Sequence, residues 1–404
     1  MLKRELELFD SYFESNMCYI RLIDDPILNF MQNRQRIWQH QEWPKLQVDA
    51  ALVGAELAGA RRVQGVVEGK LTVLGFEQRT ALIGEAWSQD AVATAAIEGE
   101  RLDLSAVRSS VARRLGMAAP QSQRVPRHVD GLLDVMDDAV SKAAGPLTHE
   151  RLQSWQAALF PTGFSGMAKI LVGAYREHAE PMQIVSGRIG REQVHYEAPP
   201  SARVPMEMDQ LLEWFNTSVE HDSLVQAAIA HLWFETIHPY EDGNGRVGRA
   251  MIDLILARDS GEAGRLMRMS QRLLTVRESY YEELKRAQHG LLDVTPWVVW
   301  FIAQVRAACE AASLVIDQAL EKARYWQAHQ DKTLSARQRK VLNVLLDAGP
   351  GGFEGGMSTK KYESITGASR ATSSRDLIEL EAMGMLTRTG DGRSTRYVLA
   401  IPGW

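Results

Sequence analysis

The sequence predicts a mainly α protein, and two observations carry that expectation. Apolar residues recur at helical spacing over residues 222–237, 247–257, 278–288 and 295–320. Extended patterns are confined to short runs beside glycine turns. In the first helix the stripe is Leu224, Val225, Ala228, Ile229, Leu232 and Trp233. Pro296, just after Thr295, suits a helix start. Residues 90–98 are alanine-rich, and Gly99 reads as their stop. Runs 182–186 and 193–196, separated by Gly187 and Gly190, read as a β-hairpin. Pro199 and Pro200 end it, and a helix is expected from about Glu207.

A boundary is expected near Lys332. Beyond it, residues 335–346 read as a helix, and residues 358–365 and 369–383 as a helix-turn-helix pair with Thr366 and Gly367 at the turn. Residues 386–388 and 396–399 flank a Gly390-Asp391-Gly392 turn and read as a second hairpin. Three helices and a hairpin are the order of a winged helix.

Composition bounds the function. The chain has 404 residues with 45% hydrophobic and 24% charged, ordinary for a globular protein of two or three domains. Apolar runs such as 297–303 fall short of the roughly 20 residues that span a bilayer. Lys3, Arg4 and Glu5 place charge too early for a secretory signal. Cys18 and Cys309 have no Cys or His at metal spacing, so neither zinc nor a disulfide framework is expected, and a cytoplasmic location without a membrane fits best. The net charge is −5, yet residues 334–404 carry ten Lys/Arg against seven Asp/Glu. The tail therefore differs in sign from the rest. Ser369, Arg370, Thr372, Ser373, Ser374 and Arg375 lie at the start of its second paired helix, with Arg388, Arg393 and Arg396 on or beside the hairpin. These residues make it a candidate for duplex DNA or, equally, for protein contacts or dimerisation.

The chemistry concentrates in residues 238–249, His-Pro-Tyr-Glu-Asp-Gly-Asn-Gly-Arg-Val-Gly-Arg. Pro239 ends one helix and the glycines lead into the next, expected from Gly245 or Arg246. A glycine-rich loop at a helix N-terminus presents free N–H groups and the positive end of the helix dipole to an anion. Gly243 and Gly245 let the backbone approach it. Arg246 and Arg249, three apart, reach one side of the helix and suit a polyphosphate. Asp242 can hold a magnesium ion bridging phosphates. His238 can accept a proton from an attacking hydroxyl.

This segment resembles the Fic family signature, H-P-[FW]-x-[DE]-G-N-G-R-x-x-R, with Tyr240 where Phe is usual. The resemblance implies an all-α core with a β-hairpin flap and transfer of AMP from ATP to a Ser, Thr or Tyr hydroxyl of a protein, itself included, with release of pyrophosphate. The Gly-Asn-Gly centre at 243–245 favours nucleotidyl transfer over the Doc branch. Carried over by position, His238 is the general base and Asp242 binds Mg²⁺. Asn244, with Gly243 and Gly245, holds the α-phosphate. Arg246 contacts the β-phosphate side and Arg249 the γ-phosphate.

Two further segments match. The hairpin with Ile184, Val185 and Ser186 resembles the flap that docks the target by strand addition. Arg176 lies in a G-x-[YF]-R element before it. Thr94-Ala95-Ala96-Ile97-Glu98-Gly99 matches the family's inhibitory motif, [ST]-x-x-x-E-[GN]. There Glu98 pairs with Arg249 in place of the γ-phosphate, and Thr94 shares its helix face. Residues 37–44, with Trp38 and Trp43 as packing residues, resemble the leader of bacterial Fic proteins that end in a winged helix.

The expected organisation is a helical region over 1–110 carrying the inhibitory motif 94–99, a Fic core over 111–330 with flap 182–196 and loop 238–249, and a winged helix over 334–404. The expected function is an autoinhibited protein adenylyltransferase using ATP and Mg²⁺. Open beside it are AMP removal, another donor such as UTP, and a DNA-binding regulator with a nucleotide-sensing core. A homodimer is open too.

Overall fold

A computed structural model describes residues 35–117, 126–186 and 193–401. Cys18, the N-terminal charges and the glycines at the hairpin tip lie outside these residues, as do the side chains of Val185, Ser186, Val194 and His195. Two compact units divide the chain, one up to Ser313 and one from Leu314.

The first unit is built on helices. After a short 3-10 turn at Ile37–Gln39 come α1 (Ala50–Thr72) and α2 (Phe76–Ile97). Helices α3 (Leu104–Arg114), α4 (Arg127–Ser141) and α5 (His149–Leu159) follow. A small hairpin pairs β1 (Phe164–Ser165) with β2 (Ala168–Lys169). It lacks any apolar alternation and so leaves no sequence pattern. A second pairs β3 (Gln183–Ser186) with β4 (Gln193–Glu197). Then come α6 (Val204–Thr217), α7 (Ser223–Ile237), α8 (Asn244–Ser260), α9 (Met269–Thr275), α10 (Arg277–Gln288) and α11 (Thr295–Ala328). Helix α6 starts three residues before the expected Glu207, because Pro205 fits its first turn.

Helix α7 is the centre of the unit. Every residue from Leu224 to Ile237 except Gln226 is buried, so it packs on all sides. Asp222 caps its start by accepting the Leu224 N–H at 2.9 Å. Helix α8 packs beside it. The expected leader tryptophans are packing residues: Trp43 donates to Glu207 Oε2 at 2.7 Å and meets Trp233 edge-on, and Trp38 donates to the Glu197 carbonyl at 2.9 Å. Helix α11 is long and apolar enough to cross a membrane by length and composition. In the first unit, however, its Trp297, Phe301, Ile302 and Val305 are buried in the protein core.

The second unit begins inside α11, not after Lys332. The physical reason is Tyr325, which packs in this unit's core with Leu342, Leu346, Tyr362, Leu380 and Tyr397. Helices α12 (Ala336–Ala348), α13 (Thr359–Thr366) and α14 (Arg370–Ala382) precede a hairpin of β5 (Leu386–Thr389) with β6 (Arg396–Leu399). Each helix is capped by the serine before it, Ser335, Ser358 and Ser369. Gly367, at φ +70°, makes the turn between α13 and α14.

Candidate active site

The loop 238–249 forms where two helices meet. Helix α7 stops at His238, which takes a left-handed conformation (φ 49°) ahead of Pro239. A non-glycine residue there is uncommon and must be held by its surroundings. Arg176 does the holding. It is buried, and its guanidinium donates to the carbonyls of His238 (2.8 Å), Ile237 (3.2 Å) and Pro199 (2.6 Å) and to Ser201 Oγ (3.0 Å). A cation at a helix C-terminus also complements the dipole. Burial lowers the Arg176 pKa to about 10, which leaves it charged at neutral pH.

The loop then closes on itself. Asn244 is buried, and its amide accepts the Tyr240 N–H at 2.9 Å and donates to the Tyr240 carbonyl at 2.8 Å. Its side chain thus fixes the shape of the loop, with one of its two N–H donors committed to Tyr240. Gly243 caps α8 at φ +91°, and a Cβ there would lie 2.9 Å from Phe160. Helix α8 begins at Asn244, just before the expected start, because Gly243 supplies the cap. Tyr240 is fully buried against Tyr175 and Phe234, and its hydroxyl makes no hydrogen bond. Burial, then Tyr175, raise its pKa, so it stays neutral.

Charged groups line the mouth. Asp242 accepts the Gly243 N–H at 2.5 Å and the Ser165 hydroxyl. Its side chain is 40% exposed, so its oxygens keep lone pairs towards solvent. Arg246 lies 3.6 Å from Asp242, 3.5 Å from Glu100 and 4.9 Å over the Phe160 ring. A cavity of about 510 Å³ is bordered by Asp242, Arg246, Glu98, Glu100, Phe160 and Ser165, among others.

Arg249 faces the other way. It is 2% exposed, and a charge so buried needs a partner. Its Nε donates to Thr94 Oγ at 2.7 Å, and Nη2 donates to the Thr94 carbonyl at 3.1 Å and to Glu98 Oε1 at 2.7 Å. Thr94 and Glu98 thus act as one clamp from the end of α2, as their spacing predicts. Gly99, at φ +81°, turns the chain away behind them. Glu98 Oε1 also overlies the first turn of α8, where a Cβ on Gly245 would collide with it. Burial pushes the Glu98 carboxyl up, but Arg249, Arg246 and His238 outweigh it and the net shift is down. The Arg249 pKa is raised: burial works against that, and Glu98 prevails.

The His238 ring is 14% exposed, and its Nδ1 makes no hydrogen bond. Burial, helped by Arg176 and opposed by Glu98 and Asp242, lowers its pKa to about 4. The imidazole is therefore neutral at physiological pH, as a proton acceptor must be. The flap strands pair Ile184 with Tyr196 and Val185 with Val194, with an irregularity between Ile184 and Val185. Tyr196 anchors them by donating to the Thr236 carbonyl at 2.8 Å. Sequence reading missed Glu100, Phe160 and Ser165, because they come from separate segments and share no spacing with the loop. It also missed Glu235, whose signal was its position three residues before His238.

Part of this chain is similar to known proteins. Residues 146–256 match the Fic/DOC family model, and residues 36–117 match a domain of unknown function, DUF4172. A probable protein adenylyltransferase of Aquifex aeolicus is 26% identical over 161 residues, 40% of this chain and 41% of that protein. Protein adenylyltransferase Fic of Nematostella vectensis is 27% identical over 220 residues, 54% of this chain and 46% of that protein. The chain thus spans less than half the length of these relatives. The crystal structure of a Fic family protein from Desulfovibrio desulfuricans G20 shares the fold, with TM-score 0.52 and 24% identity over 88% of this chain and 98% of that one. The loop 238–249 and its surroundings thus lie within a region, residues 146–256, that is similar to the Fic/DOC family.

Proposed function

We propose that this protein is an autoinhibited protein adenylyltransferase that moves AMP from ATP to a hydroxyl side chain of a protein, itself included. Relatives named protein adenylyltransferase support the class of activity. The observation that carries the autoinhibition is the Glu98 carboxylate, bound to Arg249 over the first turn of α8.

In this reading the N-terminus of α8 takes the α-phosphate on its backbone N–H groups, with Asn244 fixing the loop that presents them. Arg246 balances the β-phosphate side and the leaving pyrophosphate. Arg249 holds the γ-phosphate once Glu98 has left it. His238 takes the proton of the target hydroxyl, whose oxygen attacks the α-phosphorus while the bond to pyrophosphate breaks. Asp242 fits a magnesium ion, which takes one or two carboxylates beside substrate oxygens and would neutralise phosphate charge. The flap around Ile184, Val185 and Ser186 offers a strand edge to the target segment.

Glu98→Gly protein incubated with Mg²⁺ and ATP labelled at either the α or the γ phosphate tests the reaction. Protein-bound label from the α position only is expected. Label from the γ position, or none from either, would refute it.

A second reading concerns the tail. Arg370, Ser374 and Arg375 are exposed on α14, the second helix of the pair expected to read DNA. If the tail binds duplex DNA, affinity falls steeply with salt, and replacing both arginines weakens it. Binding that ignores salt would dismiss this reading.

A further inference from the structure

Behind the base lies a buried polar cluster that the proposed reaction does not use. His231 and Glu235 are four apart on α7 and so share one face, and His238 follows three residues later at the left-handed end of that helix. His231 is fully buried and Glu235 is 5% exposed. Three of their atoms, His231 Nδ1, Glu235 Oε1 and His238 Nδ1, make no hydrogen bond, out of seven such buried side-chain atoms among the described residues. Leaving a buried polar atom unpaired is destabilising. Three in one cluster call for an explanation other than stability.

Two of the three atoms border the same glycine, and the third lies beside the Glu235 carboxylate. Glu235 Oε2 lies 3.7 Å from His238 Nδ1. Glu235 Oε1 and His231 Nδ1 both border Gly248, 2.6 and 3.2 Å from where its Cβ would stand. Only a glycine leaves them that space. The far side of His231 is anchored, with Nε2 2.8 Å from the Tyr280 hydroxyl.

We propose that Glu235 is a positioning residue for His238, accepting the Nδ1–H of His238 on one carboxyl oxygen and donating its own proton to Nδ1 of His231 from the other. The arrangement fixes the neutral His238 tautomer in which Nε2 carries the free lone pair. The target's hydroxyl proton then goes to Nε2, and the Nδ1–H stays donated to Glu235. The 3.7 Å contact closes to hydrogen-bond length when substrate is bound, as contacts of a catalytic base do.

The surroundings suit a neutral acid. Burial pushes the Glu235 carboxyl up to about 8, Glu98 adds to the rise, and Arg249 opposes it. Burial, then Arg249, lower the His231 pKa to about 3. The groups facing Glu235 are therefore His231 of its own helix, His238 at the helix end, Arg249 of α8, Glu98 at the end of α2, and Tyr280 and Tyr281 of α10. A rival for the Nδ1–H exists: the backbone carbonyl of Glu235 also lies beside the His238 ring. Replacing the Glu235 side chain leaves that carbonyl in place and so separates the two.

The inference rests on the reading of His238 as base, but its main test needs no turnover. Imidazole ¹⁵N spectra of the full chain at neutral pH report the His238 tautomer, assigned by the signal lost in His238→Ala. The wild type and Glu235→Gln, which keeps an acceptor and a donor, are expected to hold the proton on Nδ1. In Glu235→Leu, or Glu235→Ala should the leucine variant not fold, the proton is expected to shift towards Nε2. An unchanged tautomer in the folded variant would overturn the proposal and assign the role to the carbonyl. In the Glu98→Gly background, Glu235→Leu is further expected to lower kcat roughly tenfold or more while KM for ATP holds, within the ~10²–10⁴ a positioned base supplies. Failure of Glu98→Gly itself to label would sink the reaction but leave the tautomer result standing.

Discussion

The loop 238–249 and the end of α2 meet at Arg249, yet they are held in place by different means. The loop is fixed from within and from below. Asn244 bonds Tyr240 twice, Gly243 caps α8, and Arg176 grips the carbonyls at the end of α7. None of these contacts involves Glu98. The end of α2, by contrast, reaches the loop through Thr94 and Glu98 on one guanidinium. The difference teaches that loop 238–249 is preformed and that the Glu98 contact is separable from it. A clamp made on one side chain can be released without dismantling the base.

The largest expected effect breaks the preformed side. His238→Ala in the Glu98→Gly background should reduce incorporation of label from α-labelled ATP by ~10²–10⁴-fold, the contribution of a positioned base. ATP binding, followed by calorimetry, should persist. Loss of ATP binding would mean that His238 builds the pocket and does not act on the target.

Arg176→Leu comes next. It removes the donor to three carbonyls and a hydroxyl while leaving them buried, a loss of about 3 kcal/mol of stability. Urea unfolding should show it as a lower midpoint at constant slope. A midpoint like that of wild type would mean that the left-handed His238 holds without its clamp.

A smaller effect sharpens the comparison through pH. His238 must be neutral to accept a proton, and burial with Arg176 holds its pKa at about 4. Labelling by Glu98→Gly should therefore stay flat from neutral pH to about 5 and fall as pH drops through about 4. Glu98 raises this pKa, so its removal should carry the acid limb lower still. An acid limb near 6.5, the value of a free imidazole, would contradict a buried base.

Much of this was legible in the sequence because it was local. The loop, the i and i+4 pair of Thr94 and Glu98, the β3–β4 and β5–β6 hairpins and the serine-capped helices of the second unit all depend on neighbours within a few residues. What was not legible depends on distant segments. That the Asn244 amide also bonds Tyr240 twice shows only in the fold. Phe160 under Arg246 and Ser165 on Asp242 arrive from the α5–β1 region, which carries no pattern of its own. The start of the second unit inside α11 was hidden because helical spacing continues unbroken through it.

The separable clamp is tested most directly by the rate of self-labelling from α-labelled ATP in the wild type, in Glu98→Gly and in Glu98→Gly with His238→Ala. The account predicts a rise of roughly tenfold or more on losing Glu98, ~1.4 kcal/mol of released inhibition, and its abolition on losing His238 as well. Equal rates in the wild type and Glu98→Gly would contradict it, since the carboxylate over α8 would then restrain nothing.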